Sequence, residues 1–335
     1  MDVATEFLYG RSVNSQALQT TVESIDDHKR LDSNFSYHLE AGKSWLYTKG
    51  LFGRWNKFIQ SPNFKLHCRE VHGFVDELVT HRLNRPLQEK TEGCLAGEAS
   101  PRFFLLDELA NYTQNPIELR NETLQLLNAG RDTTGSLLGW IFYHLARNPR
   151  VLTKLRAIIL ATFGSDRAGK IEFHTLKSCT YLNAVIQETL RISAVVPVNE
   201  RYCITSPGTT LPRGGGPSGS QPIFIPKGMR ILIASHAMQH RADIWGDDVH
   251  IFRPERWEDR KLSSAGGWEF LPFGAGRRKC IGQQFALTET GYVVVRFLQR
   301  FEGCEAVDGE RVFNQYIFSN RSGRGVRVRL REARK

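Results

Sequence analysis

One cysteine of the chain stands in a setting that could do chemistry. Cys280 follows the glycine-rich, basic stretch Gly274-Ala-Gly-Arg-Arg-Lys and precedes an apolar pattern with helical spacing. The pattern predicts a helix that begins near Gly282. A thiol at the start of a helix is easily ionised, because the unpaired amide groups and the positive end of the helix dipole favour the thiolate. The three basic residues before Cys280 act in the same direction.

A single thiolate narrows the kinds of metal site that fit. Zinc or an iron–sulfur cluster requires several Cys or His at ligand spacing, and none stands near Cys280. Haem requires one protein ligand on its proximal side, because four pyrrole nitrogens already hold the iron. The glycines leave room for a flat group, and Arg278 would face a haem propionate. A buried structural cysteine is the alternative that the loop, taken alone, leaves open.

The spacing of five residues points to a family. Phe273, Gly276, Arg278, Cys280 and Gly282 match the pattern F-x-x-G-x-R-x-C-x-G, which resembles the haem-binding loop of the cytochrome P-450 family, the haem-thiolate monooxygenases. The resemblance implies haem b as cofactor, Cys280 as the axial thiolate ligand of its iron, O2 as co-substrate and cofactor contacts from the other four residues.

A second segment has a polar middle in an otherwise apolar helical pattern over residues 116–146. The pattern allows one long helix, or two helices with Gly130 closing the first and Asp132 or Thr133 capping the second. Residues 129–134, Ala-Gly-Arg-Asp-Thr-Thr, resemble the oxygen-binding segment of the same family. The resemblance implies that Ala129 and Gly130 lie over the haem. It also implies proton delivery to dioxygen, with Asp132 connecting the Thr133 hydroxyl to solvent.

Glu188 and Arg191 lie three residues apart on a predicted helix over 182–191. Taken alone, such a pair is usually a surface ion pair. With the later Pro-Glu-Arg sequence that ends at Arg256, the pair resembles the family's E-x-x-R helix and P-E-R segment. The resemblance implies a structural network of Glu188, Arg191 and Arg256 that supports the haem loop. If this network is buried, all three partners must be present.

Further site residues follow from the resemblance only. Arg201 stands where a second propionate partner is expected. Possible substrate contacts are Val195, Val196, Val198 and Ile317. Cys68 and His72 lie four residues apart on a predicted helix, but further ligands for a metal are not evident, so we expect surface or core roles for them.

The fold class predicted is mainly α with small β-sheets (α+β), the cytochrome P-450 fold, in one haem-binding domain over residues 1–335. Residues 1–90 read mostly as helices, and residues 91–101 as an exposed connection. One predicted hairpin pairs residues 223–225 with 229–234, and another pairs 312–318 with 326–330. The basic run 324–335 alternates with apolar residues, which favours a strand with one wet face.

The composition limits the partners and the location that we expect for the chain. The formal charge of +10 permits contact with nucleic acid, anionic lipid or an acidic protein, but no nucleic-acid motif is visible, so we expect no nucleic acid partner. Six scattered cysteines without a signal peptide indicate reduced thiols on a cytosol-facing protein. No run reaches about 18 apolar residues, so we expect no transmembrane segment in this chain.

Three stretches resemble the fungal, membrane-anchored alkane and fatty-acid hydroxylases of the family: residues 4–10, 211–220 and 280–289. Within that branch, residues 191–194 usually contain a proline and position 198 an arginine, which this chain lacks. Met1 corresponds to a position well inside the family fold, so we expect an N-terminal truncation that lacks about a third of the fold. Membrane association, at the cytosolic face of the endoplasmic reticulum, is expected for the full-length relative only.

The function that the resemblance implies is a monooxygenase that hydroxylates a hydrophobic small molecule, a long-chain alkane or fatty acid. An NADPH-dependent flavoprotein reductase would supply electrons by docking at the basic residues beside Cys280. One alternative is a relative that rearranges peroxides without external electrons, against which Asp132 and Thr133 argue. Another is a haem-poor, non-catalytic remnant or interaction protein.

Overall fold

The chain divides into two compact units, Met1–Asp132 and Thr133–Lys335. The structure is a computed structural model and describes residues 1–13, 15, 27–84, 103–259, 267–307, 313–316 and 319–333, with the backbone alone at 27–34, 54 and 259. The described residues are mostly helical, with small antiparallel sheets, as the α+β prediction requires.

The described elements of the first unit are all helices, and the helices predicted within residues 1–90 are confirmed for the part that the structure describes. Its core buries Phe35, which stacks on Phe74 with ring centroids 4.3 Å apart, together with Val75, Leu106 and Leu127. The predicted connection over 91–101 lies outside the described residues. The helices are α1 (Asp2–Tyr9), α2 (Asp27–Leu51), α3 (Pro62–Leu83), α4 (Leu105–Tyr112) and the first half of α5 (Pro116–Arg147).

Helix α5 is continuous through its polar middle, and the boundary between the two units falls inside it. The two-helix interpretation is therefore wrong. Each interior glycine costs about 1 kcal/mol of helix propensity. Leu127 on one side of the glycines and Ile141 on the other are fully buried, and burying side chains of this size contributes about 1.5–3 kcal/mol each. Burial on both flanks outweighs the loss at Gly130 and Gly135.

The second unit packs its helices around one apolar core that includes Ile141, Leu155, Val185, Ile186 and Val294. The helix predicted over 182–191 lies inside α8, and the helix predicted to begin near Gly282 is α12, which confirms both predictions. The helices are the second half of α5, α6 (Pro149–Phe163), α7 (Phe173–Ser178), α8 (Thr180–Ile192), α9 (Ser235–Met238), α10 (Ala242–Trp245), α11 (Arg256–Asp259) and α12 (Gln283–Arg300).

Four two-stranded antiparallel sheets complete the described part of the second unit. β1 pairs with β4, β2 with β3, β5 with β8, and β6 with β7. The strands are β1 (Asn199–Tyr202), β2 (Gly208–Gly215), β3 (Gln221–Pro226), β4 (Arg230–Ile233), β5 (Phe301–Ala306), β6 (Asn314–Tyr316), β7 (Asn320–Ser322) and β8 (Val328–Glu332).

The prediction that 223–225 pairs with 229–234 is wrong. β3 pairs instead with β2, where Leu211 stands opposite Ile223, and β4 pairs with β1. The turn at Pro226–Gly228 is present, but the Lys227 amide donates to Pro207 O (3.0 Å) and the Gly228 amide to Cys203 O (2.7 Å). These bonds direct the two strands to different partners.

The C-terminal hairpin prediction is also wrong in its pairing. β6 and β7 form a short hairpin, whereas β8 pairs with β5, with Leu330 opposite the buried Cys304. The strand expected in the basic run is present as β8, where Val328 is half-buried and the residues after it are exposed. Val312, Ile317 and Phe318 lie outside the described residues.

Candidate functional site

The Cys280 loop is shaped by backbone conformation and backbone hydrogen bonds. Gly274 and Gly276 both have φ of +69°, in the left-handed region that favours glycine. A single 3-10 turn, Gly276–Arg278, follows them. The Cys280 amide then donates to Phe273 O at 2.9 Å, which closes the loop three residues before the first residue of α12.

The side chains of this loop point to different environments. Phe273 is half-buried and packs against the core of the second unit, while Cys280 and the three basic residues before it are exposed. Gly282 is the N-cap of α12, and a Cβ built on it would lie 3.9 Å from the Cys280 Sγ atom. The Cys280 thiol is therefore accessible at the beginning of a helix of 18 residues.

These residues fit a haem and do not fit a metal held by protein side chains alone. Among the residues that the structure describes, no three His, Cys, Asp or Glu side chains form a group that could hold a metal ion. A Cβ built on Gly276 would meet no atom within 4 Å, so the loop leaves open space at this position. An accessible thiol with exposed Arg278 two residues earlier suits a cofactor that brings its own nitrogen ligands and carries carboxylates.

The structure brings Glu188, Arg191 and Arg256 together. Arg191 donates to both carboxylate oxygens of Glu188, at 3.0 Å to Oε2 and 2.8 Å to Oε1, and Arg256 Nε donates to Oε1 at 3.0 Å. Glu188 and Arg191 have no exposed surface, and Arg256 is 4% exposed. The pair that the sequence alone would place at the surface is thus the most buried charged group of the second unit's described part.

Further partners of this network were not predicted from the sequence. The Arg253 amide (3.1 Å) and Trp257 Nε1 (2.9 Å) also donate to the Glu188 carboxylate. Arg191 Nη1 donates to Gln239 O (3.1 Å) and Val249 O (2.8 Å). Each remaining hydrogen of a buried guanidinium requires an acceptor, and the backbone of the segment between α9 and α11 supplies it.

Two further carboxylates, Asp248 and Glu255, lie between the buried network and the surface. Arg256 Nη1 donates to Asp248 Oδ1 at 3.0 Å, and this hydrogen bond holds the pKa of Asp248 below its ordinary value. Burial alone would raise the pKa of Glu255, but hydrogen bonds from its own backbone, Tyr181, Arg150 and Lys154 lower it to about 2. Glu255 therefore stays ionised at neutral pH and anchors the Pro-Glu-Arg segment to α6 and α8.

The oxygen-binding resemblance falls on α5. In the first unit, Ala129 is exposed and Gly130 half-buried, and a Cβ on Gly130 would meet no atom within 4 Å. Asp132 accepts a hydrogen bond from Lys43 Nζ at 2.6 Å. Lys43 lies on α2, is 5% exposed and also donates to Glu40 at 2.9 Å.

Arg131 completes this group of charges, since it pairs with Glu40 and, at 3.3 Å, with Asp132. We refer to Glu40, Lys43, Arg131 and Asp132 as the Asp132 cluster. The sequence indicated Asp132 but neither Lys43 nor Glu40, because a lysine 89 positions away in the chain carries no local signal. The Asp132 carboxylate is therefore held between two cations.

In the second unit, the half of α5 that begins at half-buried Thr133 is joined to β7 and the segment after α8. Ser136 and Ser319 hydroxyls lie 2.8 Å apart, and Trp140 Nε1 donates to Asn320 O at 2.8 Å. The Asn320 amide in turn donates to Val195 O at 2.8 Å. These bonds fix the backbone around the predicted substrate contacts.

The predicted substrate contacts lie in unlike environments. Val195 is 6% exposed and belongs to the apolar core, Val196 packs against that core, and Val198 is exposed. Arg201, the predicted second propionate partner, is exposed on β1 opposite Ile231. Ile317 lies outside the described residues.

The chain belongs to the cytochrome P-450 family, whose model matches residues 12–321. It is 44% identical to the cytochrome P-450 monooxygenase g430 of a Fusarium species over 98% of the chain and 57% of that protein. It is 36% identical to cytochrome P-450 52E1 of Candida apicola, over 98% of the chain and 61% of that protein. The family and the fungal resemblance expected from the sequence are confirmed.

A further relative, the cytochrome P-450 monooxygenase alt2 of Alternaria solani, is 39% identical over 92% of the chain and 56% of that protein. The chain thus spans about three-fifths of the length of these curated relatives. No helix among the described residues is both long and apolar enough to cross a membrane.

Proposed function

We propose that the chain forms the haem-thiolate part of a monooxygenase, with Cys280 as the axial ligand of haem b. The observation that carries the proposal is the Cys280 loop, whose left-handed glycines and closing hydrogen bond present an accessible thiol at the start of α12. Haem held in this way supplies an iron centre that activates O2. That residues 1–335 make a single haem-binding domain stays a prediction.

The roles of the chain's own residues follow from their chemistry. The Cys280 thiolate binds the iron, and the Arg278 and Arg201 guanidinium groups pair with propionates. Phe273, Gly276 and Gly282 shape the loop around the thiolate. Ala129 and Gly130 leave room on α5, where a Cβ at position 130 would meet nothing. Asp132 and the Thr133 hydroxyl move protons from solvent toward dioxygen.

The network of Glu188, Arg191 and Arg256 has a structural role in this proposal. Its three members have no role in binding a substrate or moving a proton, because they are fully hydrogen-bonded and closed to solvent. The network keeps the segment between α9 and α11 against α8, and that segment leads along the chain to the Cys280 loop.

We propose a hydrophobic substrate, a long-chain alkane or fatty acid, with contacts from Val195, Val196, Val198 and Ile317. The resemblance of residues 4–10, 211–220 and 280–289 to the fungal hydroxylase branch supports this class. The proposed electron donor is an NADPH-dependent flavoprotein reductase, which an exposed Arg277, Arg278 and Lys279 would attract. For a full-length relative, the proposed location is the cytosolic face of the endoplasmic reticulum membrane.

The carbon monoxide difference spectrum of the reduced, haem-reconstituted chain tests the ligation. We expect a strongly red-shifted Soret band in the parent, because a thiolate donates electron density to the iron. Cys280→Ser should lose the shifted band. Cys68→Ser, which changes a half-buried thiol on α3, is the matched control and should keep it.

Two outcomes would contradict the proposal. A shifted band that persists in Cys280→Ser would assign the thiolate to another cysteine. Absence of haem binding in a chain that retains its helical circular dichroism would favour the non-catalytic remnant. If the band is present, the change of the oxidised spectrum on adding a long-chain alkane or fatty acid tests the substrate class separately.

A further inference from the structure

Two histidines on neighbouring helices of the first unit, neither of which has a role in the proposed function, meet side by side. His38 lies on α2 and His67 on α3, and their Nδ1 atoms are 2.7 Å apart. Their ring centroids are 5.0 Å apart and the rings are tilted by 50°. The Tyr37 ring packs edge-on against both rings, with centroids 5.2 Å and 5.9 Å away.

The space between the two Nδ1 atoms can hold one proton or one metal ion, but not two protons. A neutral imidazole has one N–H and one lone pair, so at 2.7 Å one Nδ1 donates and the other accepts. The pair therefore already shares one proton. A metal ion can replace that proton when the donor ring moves its hydrogen to Nε2, which leaves both Nδ1 lone pairs for the metal without a change in the charge of either ring.

The separation of the two atoms indicates which metal geometry fits. Two ligands about 2.0–2.1 Å from one ion and about 90° apart lie about 2.9 Å from each other, whereas a tetrahedral angle separates them by about 3.4 Å. The observed 2.7 Å is closer to the first arrangement. Adjacent corners of a square-planar or tetragonal site are typical of Cu²⁺ and Ni²⁺, and imidazole is a favoured ligand of both.

The helices hold the pair in place. Both rings are half-buried, so part of their water has already been removed. Gly42 lies one turn after His38, and a Cβ there would be 3.8 Å from the His67 Cβ, which shows how closely α2 and α3 approach. Because the described residues contain no group of three metal-binding side chains, water would complete the coordination.

We propose that His38 and His67 form a binding site for a divalent copper ion, through their two Nδ1 atoms as adjacent ligands. Ni²⁺ should bind more weakly than Cu²⁺, as the general order of first-row metal affinities requires. Zn²⁺ should also bind more weakly than Cu²⁺, and by a larger factor than Ni²⁺, since its tetrahedral preference requires the rings to separate. A bound ion would link α2 to α3.

The test is a titration of the full, tag-free chain with Cu²⁺ at pH 7.5, with binding measured by equilibrium dialysis and coordination by electron paramagnetic resonance. The parent should bind one equivalent of Cu²⁺ that His38→Gln and His67→Gln either do not bind or bind about tenfold or more weakly. Copper held by other histidines is the same in all variants. The parent spectrum should show coupling to two nitrogens that both variants lose.

His72→Gln is the matched control, because His72 lies on the same helix, five residues after His67, beside a separate shallow cavity. It should bind copper as the parent does. Copper should also raise the unfolding temperature of the parent and of His72→Gln, but not that of the two pair variants. These readouts require no haem, so their failure is distinct from failure of the proposed function.

Three results would overturn the proposal. One is equal copper stoichiometry and affinity in the parent and His38→Gln. Another is loss of the extra equivalent in His72→Gln. The third is retention of the two-nitrogen coupling after His67→Gln. A variant that lost its helical circular dichroism would be replaced by His38→Phe or His67→Phe, which preserve ring packing against Tyr37 and should lose the copper equally.

Discussion

Two clusters of charged side chains in this protein differ in how far they are buried. The Glu188 network consists of Glu188, Arg191 and Arg256, all at most 4% exposed, and its charges are surrounded by protein donors and acceptors. In the Asp132 cluster Lys43 alone comes close, at 5% exposed, since the Asp132 side chain is 21% exposed and that of Glu40 is 43% exposed.

The difference in burial separates a structural group from one suited to proton transfer. A carboxylate enclosed by five donors, like that of Glu188, has no path to water. The Asp132 carboxylate is held by cations yet contacts solvent, which is the access that its proposed role requires. The same residue types therefore suit different purposes because their access to water differs.

The largest effect should follow from breaking the buried network. Glu188→Gln leaves buried Arg191 without a counter-charge and Arg256 with Asp248 alone, so we expect a loss of about 3–5 kcal/mol in the free energy of unfolding. Denaturant unfolding followed by circular dichroism measures it. Glu258→Gln, which removes an exposed partner of Lys154, should change the same quantity by at most about 0.5 kcal/mol. Equal stability of both variants would sink the assignment of a buried structural network.

A smaller loss should follow in the Asp132 cluster. Lys43→Met keeps the apolar stem but removes the ammonium group, so we expect a loss of about 1–3 kcal/mol, because water can hydrate the two carboxylates that remain. Lys65→Met, which changes an exposed residue of α3, should stay within about 0.5 kcal/mol of the parent. A loss as large as that of Glu188→Gln would show that the two groups do not differ as their exposure indicates.

A double-mutant cycle sharpens this second prediction. Asp132→Asn should cost less in the Lys43→Met background than in the parent, since the two residues share one ion pair. The coupling should persist as salt is raised toward about 1 M, because salt at that concentration screens charges more than about 3 Å apart and this partly buried pair is in direct contact. Additive effects at every salt concentration would contradict direct pairing of the two side chains.

At neutral pH the smallest effect is that of His144, which changes how the stability depends on pH. Burial, with the nearby charges of Arg147 and Arg191, lowers the pKa of His144 to about 3. The unfolded chain takes up a proton near pH 6.5 and the folded chain does not, so stability is lost as pH falls from 6.5 toward 3. His144→Gln should reduce this pH dependence by up to about 1.4 kcal/mol per pH unit.

Urea unfolding at a series of pH values measures this slope. His174→Gln, which changes a solvent-exposed histidine on α7, is the matched control and should leave the slope as in the parent. A steeper fall of stability with acid in His144→Gln than in the parent would reverse the expected sign, and would mean that His144 is charged in the folded protein.

The sequence by itself determined the parts that depend on neighbouring residues. The Cys280 loop and the start of α12 follow from glycines that tolerate a left-handed backbone and from an apolar pattern with helical spacing. The family followed from five residues in one loop. In the same way, the helices within residues 1–83 and 180–192 could be predicted from local periodicity alone.

Only the tertiary structure decided which distant residues meet. The turn at Pro226–Gly228 was visible in the sequence, but β3 pairs with β2 and β4 with β1, because a turn signal does not specify a strand's partner. Glu188 and Arg191 read as a surface pair until the segment between α9 and α11 covers them. Lys43 and Asp132, 89 positions apart, meet because helix packing, which no local pattern encodes, brings α2 beside α5.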